Sequence, residues 1–113
     1  MSDIKKKFEE MIERFNQKAE RDEKFRKEIE KYERLVKIVV TDEKTYNCLL
    51  KNGRIEGLNE GEVEKPQIII TSDTATYMGI MDGTKDGFAE YARGRLKVKA
   101  SLGDMLLAKK LMG

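Results

Sequence analysis

The sequence predicts an α+β fold, in which a roughly five-stranded, mostly antiparallel sheet carries helices packed on one face. Three observations predict it. Charged residues, 39% of the chain, concentrate in the first third, where apolar side chains recur at helical spacing. The middle alternates short β-branched runs with turn residues. The last third combines short, glycine-bounded helical segments with one more alternating run. At 113 residues, we expect one domain over 1–113.

The first third is predicted to form two helices. Apolar side chains recur at three- and four-residue steps over residues 3–19, and Ser2 or Asp3 can cap this helix. A shorter helix is predicted from Asp22, as its N-cap, to Lys31. The charged residues between the apolar positions are interpreted as a solvated helical face.

The middle of the chain favours strands over 34–41, 45–51, 54–58 and 67–72. Between the second and third of these, the pair Asn52-Gly53 predicts a tight hairpin, because this pair tolerates positive φ at both positions. A loose polar stretch is expected after the third strand, over 59–65. Three consecutive isoleucines in the fourth strand indicate burial on both of its faces.

The last third is predicted to contain three helices and a strand. Asp73 or Thr74 caps the first helix, which Gly83 ends. Asp86 begins the second helix, and Gly94 is expected to end it in a left-handed conformation.

The strand and the final helix follow from the remaining pattern. Residues 95–100 alternate apolar and basic side chains, which is typical of a strand with one buried face. Ser101 is expected to cap the final helix, and Asp104 to complete a capping box by reaching back to it.

The residue types needed for catalysis are scarce. The chain has no histidine, the commonest general base and metal ligand. Its single cysteine, Cys48, lies mid-strand beside leucines and is interpreted as a small buried apolar side chain. Zinc-binding spacing, a phosphate-binding glycine loop and a nucleophile elbow are not found in the sequence. We therefore predict no enzymatic activity, no catalytic residue, no metal and no cofactor.

Charge and hydropathy limit the partners. The net charge of +2 gives no strong field for nucleic acid. The basic stripe Arg93, Arg95, Lys97 and Lys99 lacks interleaved aromatics and is interpreted as solvated. No stretch of about 20 apolar residues is present, so stable membrane insertion is not expected. With one cysteine and no signal-peptide pattern, a cytoplasmic setting is predicted.

Methionines and aromatics in the second half leave two interpretations open. Methionine adapts its shape to varied apolar partners, and short helices bounded by glycine can part to admit a ligand. These side chains would then line a ligand cavity. Alternatively, they simply fill the core.

Several motifs accompany this order of elements. The isoleucine strand leads to Thr71-Ser72-Asp73, and a helix closes on Met81-Asp82-Gly83. With the run over 86–98, these motifs resemble the sterol-carrier-protein-2 family over nearly the whole chain, because that run is similar to the family's helix followed by Gly-Lys-Leu-Lys-Ile/Val. The family's Gly-Asp then corresponds to Gly103-Asp104, after extra residues, and a last helix with leucines and lysines follows.

The resemblance implies an apolar ligand such as a lipid, acyl chain, acyl-CoA, isoprenoid or quinone. It would lie between helices and sheet, in a cavity of roughly 300 Å³ or more. The alternative is a structural, oligomerisation or protein-interaction module of the same fold with a filled core, which allows a homodimer. The lining residues implied are Ile70, Met78, Met81, Phe88, Tyr91, Val98, Leu102, Met105 and Leu106.

Overall fold

The computed structural model describes residues 3–112. In it, helices cover one face of a five-stranded sheet. In chain order the elements are α1 (Ile4–Arg21), α2 (Glu23–Ile29), β1 (Arg34–Val40), β2 (Thr45–Lys51), β3 (Arg54–Glu60), β4 (Ile68–Ser72), α3 (Thr74–Asp82), α4 (Gly87–Ala92), β5 (Lys97–Lys99) and α5 (Leu102–Met112).

The five strands form one sheet in the order β3-β2-β1-β4-β5. β1 runs parallel to β4, and the other three neighbouring pairs are antiparallel. Val36 at the centre lies opposite Cys48 on β2 and Ile68 on β4. The predicted α+β fold with a five-stranded, mostly antiparallel sheet is therefore confirmed.

The core lies between this sheet and the apolar side of α1. Phe8 of α1 is 1% exposed and meets two tyrosine rings edge-on, Tyr46 at 5.7 Å and Tyr77 at 5.2 Å between ring centroids. Such aromatic pairs add about 0.5–1.5 kcal/mol beyond the area that they bury. The hydroxyl of Tyr77 donates a 3.0 Å hydrogen bond to the carbonyl of Val39, so its buried polar atom is satisfied.

A buried amide joins α1 to the edge strand β3. The side chain of Asn16 accepts a 2.8 Å hydrogen bond from the backbone N–H of Ile55 and donates one of 3.0 Å to its carbonyl. Both backbone groups of Ile55 are thus paired on the side facing away from β2. This contact prevents another strand from pairing at that position.

The turn and cap predictions largely hold. Asn52 and Gly53 have φ values of 55° and 73°, as the predicted hairpin requires. The carboxylates of Asp22, Asp73 and Asp86 accept hydrogen bonds from backbone N–H groups three residues later, which makes each of them an N-cap. Gly83 and Gly94 both have left-handed backbone conformations, with φ of 81° and 80°.

Two expected caps behave differently. Asp3 occupies the N-cap position of α1, but its side chain makes no capping hydrogen bond, and Ser2 lies outside the described residues. Before α5, Ser101 Oγ accepts from the N–H of Asp104 as predicted. The carboxylate of Asp104 does not complete the capping box. Its two oxygens share the N–H of Arg34 Nε, at 2.9 and 3.0 Å, in a charge-assisted contact that is stronger than a bond to a neutral amide.

Three strand predictions need correction. β3 continues to Glu60, because Asn59 and Glu60 pair with β2 beyond a register shift. β5 is limited to Lys97–Lys99, since the N–H groups of residues 95 and 96 both bond to the carbonyl of Glu90 instead of joining the sheet. On β4, Ile69 is only half-buried, so that strand is not fully covered on both faces.

The connection between β3 and β4, residues 61–67, crosses from one side of β1 to the other. The amide of Asn47 donates to the carbonyl of Gly61 at 3.1 Å, and Lys37 forms an ion pair with Glu62. At the far end, the Gln67 side chain accepts a hydrogen bond from the N–H of Leu35. The outer face of β1 is therefore partly covered, and Leu35 and Val39 are half-buried.

Candidate functional site

An open groove of about 420 Å³ lies beside β5, where three helices meet the edge of the sheet. The end of α3 and the whole of α4 form one wall, β5 and the residue before it form the floor, and α5 forms the opposite wall. Its rim carries Lys85, Asp86 and Lys109. The apolar side chains that line it are Ile80, Phe88, Tyr91, Leu96, Val98, Leu102, Met105, Leu106, Ala108 and Met112.

The exposed apolar residues are concentrated at this groove. Phe88 is 71% exposed, Tyr91 41%, Leu102 81% and Leu106 62%. Within residues 3–112 these are the large apolar side chains that remain exposed, and all four line the groove. Single exposed apolar residues are normal on a protein surface, but a contiguous group of them marks a binding surface.

The nine predicted lining residues fall into two groups. Six of them line the groove, namely Phe88, Tyr91, Val98, Leu102, Met105 and Leu106. Ile70 and Met81 lie instead at a void of about 10 Å³ on the inner side of α5. Met78 is partly buried and packs against the core.

The large cavity expected beneath the helices is not found at that inner void. Leu107, Ala108 and Leu111 of α5 are buried and pack into the core, which leaves only about 10 Å³ beside Ile70 and Tyr77. The open apolar space lies on the outer flank of α5. The final helix is thus closed over the core.

Several groove residues were missed from the sequence, and the signal for them is helical periodicity. One flank of α5 carries groove-lining side chains at steps of three and four residues, namely Leu102, Met105, Leu106, Lys109 and Met112. That spacing extends the predicted set by Lys109 and Met112. Leu96 was predicted to be buried, but not to form the floor of a groove.

A buried carboxylate that pairs with exposed arginines supports the α4 wall. Glu90 lies between Phe88 and Tyr91 in sequence, yet it is only 2% exposed. Its carboxylate accepts two hydrogen bonds from Arg95, at 2.8 and 2.7 Å, and a longer one from Arg93. The Arg95 hydrogen bonds favour the charged carboxylate and lower the pKa of Glu90 to about 2, against the opposing effect of desolvation.

This pair also ties α4 to the sheet. The carbonyl of Arg95 accepts a 2.6 Å hydrogen bond from Ser72 Oγ at the end of β4. Glu90 is therefore joined through Arg95 to β4. The basic stripe that contains Arg95 is interpreted from the sequence as solvated, and no role is assigned to Glu90, so the buried carboxylate was not predicted.

Ion pairs tether both ends of the α5 wall. Near its start, Asp104 is held by Arg34 of β1, and near its end Lys110 Nζ lies 3.1 Å from Glu28 of α2. The first pair is mostly shielded from water, with the Asp104 side chain 10% exposed, whereas the second is about 40% exposed. We therefore expect the pair Arg34–Asp104 to stabilise the docking of α5 more than the pair Lys110–Glu28 does.

The thiol of Cys48 is not part of the groove. Cys48 is buried in β2, away from the groove, and burial raises the pKa of its thiol to about 12. Such a thiol is not a nucleophile at neutral pH. Across residues 3–112, no cluster of three or more carboxylates or thiols is arranged to hold a metal ion. Over the same residues, no helix is long and apolar enough to cross a bilayer.

The family follows from the sequence as a whole. Residues 12–113 match the model of the SCP-2 sterol transfer family. The chain belongs to the SCP-2 sterol transfer family. The predicted family relationship is thereby confirmed, and the groove can be described as part of an SCP-2 domain. No curated protein sequence matches the chain.

Solved SCP-2 structures share the fold. A crystal structure of sterol carrier protein 2 superposes with a TM-score of 0.62 at 21% identity, and the match covers 90% of each chain. The palmitate complex of sterol carrier protein-2 from Aedes aegypti gives a TM-score of 0.62 at 17% identity, over 95% of this chain and 94% of that one. At these identities the likeness shows the fold alone.

The same fold occurs as a small part of a larger enzyme. The inverting sec-alkylsulfatase Pisa1 from a Pseudomonas species superposes with a TM-score of 0.61 at 15% identity, over 76% of this chain. The match covers only 13% of the sulfatase. This SCP-2 chain therefore corresponds to one segment of that enzyme.

Proposed function

We propose that this SCP-2 domain binds the apolar chain of a lipid or related amphiphile in the groove between α4, β5 and α5. The observation that carries the proposal is the gathering of Phe88, Tyr91, Leu102 and Leu106 at one site while the remaining large apolar side chains of residues 3–112 are covered. An acyl chain, acyl-CoA, isoprenoid or quinone has the apolar length to cover them.

The groove is sufficient for useful affinity. Covering a large apolar side chain contributes about 1.5–3 kcal/mol, so partial covering of these four supplies roughly 4–8 kcal/mol before the cost of association. Micromolar binding requires about 8 kcal/mol net. Burial of the ligand's own apolar chain, at about 0.8 kcal/mol per CH₂ group, would supply the rest.

The family and the palmitate complex of the Aedes protein support an acyl chain as one suitable ligand class. Of the nine residues predicted from the sequence, we propose the six that line the groove as ligand contacts. Ile70, Met78 and Met81 would support the groove from the core side. The domain acts as a carrier, since the groove rim offers only the surface charges of Lys85, Asp86 and Lys109.

A second candidate function is self-association through the same surface. The filled interior favours this alternative. The exposed apolar area does not lead into an interior cavity, and such an area is also typical of a contact between proteins. In this alternative a second copy covers Phe88 and Leu102 instead of a lipid. This alternative predicts a homodimer that dissociates when groove residues are replaced by polar ones.

Replacement of groove residues tests the proposal. We expect the double variant Phe88→Gln/Leu102→Gln to bind palmitate about tenfold more weakly, because both side chains lose apolar contact area with the ligand. Both residues are mostly exposed, so the variant should fold normally. Palmitate binding is measured by isothermal titration, with native mass spectrometry to establish stoichiometry.

The matched control is Ala75→Gln, a polar replacement at an exposed helix position outside the groove. It should bind palmitate like the unmodified protein. Equal affinity of the control and the double variant would contradict the proposed site. A dimer in sedimentation that only the double variant disrupts, together with no palmitate binding, would favour self-association.

A further inference from the structure

A second groove lies on the other flank of α5, between this helix and the pair α1 and α2. It encloses about 700 Å³, and its floor is formed by apolar side chains that include Met11, Phe15 and Phe25. Leu106, Lys109 and Met112 line both grooves. α5 therefore forms a ridge between an apolar groove and this one, and the exposed side chains of Leu106 and Lys109 belong to both sides.

The second groove differs from the first in its charge. Five basic side chains line it, against two carboxylates. The local excess of three positive charges is larger than the net charge of +2 for the whole chain. A concave surface with an excess of one sign of charge over an apolar floor concentrates the electrostatic field. The basic residues are Arg14, Lys18, Lys24, Lys109 and Lys110.

Most of these cations are not neutralised by the protein. Lys110 pairs with Glu28, and Asp22 is engaged in capping α2. Within residues 3–112, no carboxylate pairs with Arg14, Lys18, Lys24 or Lys109. Lys18 Nζ lies 4.4 Å from the centre of the Phe25 ring, which holds this ammonium group over the floor of the groove.

We propose that this basic groove binds the phosphate-bearing headgroup of the amphiphile whose apolar chain lies on the other side of α5. The inference rests on the proposed function and specifies its ligand class. A carboxylate brings one negative charge, whereas a phosphate monoester or a diphosphate brings about two or three and matches the local excess. Lysine binds phosphate as a point charge, and arginine adds a bidentate contact.

The test compares two probes with one tail, dodecyl phosphate and 1-dodecanol, both below their aggregation concentrations. At low ionic strength we expect the unmodified protein to bind dodecyl phosphate about tenfold more tightly, since the phosphate can form several exposed ion pairs that each add modestly to affinity. The preference should shrink as salt is added, because the cations are exposed. Affinities are measured by isothermal titration.

Two charge variants locate the headgroup site. In the triple variant Arg14→Gln/Lys18→Gln/Lys24→Gln, the dissociation constant of 1-dodecanol divided by that of dodecyl phosphate should fall towards one. The matched control is Lys6→Gln/Lys97→Gln/Lys99→Gln, which removes the same charge from exposed positions outside both grooves. This control should keep the preference for dodecyl phosphate.

The outcomes distinguish the proposed headgroup site from the proposed apolar groove. Equal binding of both probes by the unmodified protein, or the same loss in both variants, would overturn the headgroup site and leave the apolar groove standing. Binding of neither probe would overturn both. Inorganic pyrophosphate should compete with dodecyl phosphate, and pyrophosphate that binds without displacing it would overturn the proposal that one amphiphile occupies both grooves.

Discussion

Single buried polar residues join helices to the sheet in this protein, and Glu90 is one example. Its two carboxylate oxygens bind Arg95, and the backbone of Arg95 is bound by Ser72. The exposed ligand-binding candidates Phe88 and Tyr91 flank it on α4. The sequence suggested none of this, because a glutamate near arginines is usually solvated, and its burial depends on where β4 and α4 come to lie.

The charge of Glu90 predicts a specific acid sensitivity. Its folded pKa, about 2, lies below the ordinary value of 4.5, so its stabilising effect is present above about pH 4.5 and is lost as the pH falls towards 2. We expect Glu90→Gln to lower the urea midpoint at pH 7, and the difference from the unmodified protein to narrow below pH 4.5.

The control for this experiment is Glu56→Gln on the exposed side of β3. Its midpoint should follow that of the unmodified protein at every pH. Parallel curves for Glu90→Gln and the unmodified protein from pH 7 to 2.5 would show that the ion pair with Arg95 does not contribute to stability.

At the scale of elements, the segments themselves were predictable but their docking was not. The bounds of β2 match the predicted 45–51, and Asn52-Gly53 turns the chain as that pair predicts. These features depend on neighbours in sequence. The contact between Asn16 and Ile55 joins residues 39 positions apart, and that between Arg34 and Asp104 joins residues 70 apart. Local patterns carry no information at such separations.

The junction of α1 with β3 can be tested directly. Asn16→Ala removes both hydrogen bonds to Ile55 and leaves two backbone groups unpaired beside the core, at a cost of about 1–3 kcal/mol in unfolding free energy. The adjacent Gln17→Ala should cost less than about 0.5 kcal/mol, since Gln17 is exposed. Urea denaturation measures both, and equal costs would show that the buried amide has no special role.

At the scale of the whole molecule, the sequence predicted the fold class, the number of strands and the family. It did not predict where open space lies. That depends on which flank of α5 meets the core, and the helix is apolar on both: Leu107 and Leu111 are buried, while Leu102 and Leu106 are exposed. An apolar pattern this wide does not specify one orientation, so the open apolar space lies on the outside of the molecule and not in the interior, where it was predicted.

The thiol of Cys48 reports on the integrity of the whole sheet. It is 1% exposed on the strand beside the centre, so we expect it to react with a thiol reagent only when the sheet opens. Labelling in native buffer should be slower than in denaturant by at least about a thousandfold. As urea is added, the rate should rise together with loss of the circular dichroism signal.

An exposed thiol provides the reference rate. Ala75→Cys in a Cys48→Ala background should label rapidly in native buffer, because position 75 is exposed. Fast native labelling of Cys48 itself would show that part of the sheet opens without global unfolding.

The position of the groove residues late in the chain has a consequence for folding during synthesis. α1 and the sheet from β3 to β4 are built from residues 4–72, whereas the apolar groove is lined only by residues 80–112. During synthesis the N-terminal part of a chain emerges first. The exposed phenylalanine and leucines therefore leave the ribosome when most of the sheet is already available, which limits the time in which they can misassemble with a nascent neighbour.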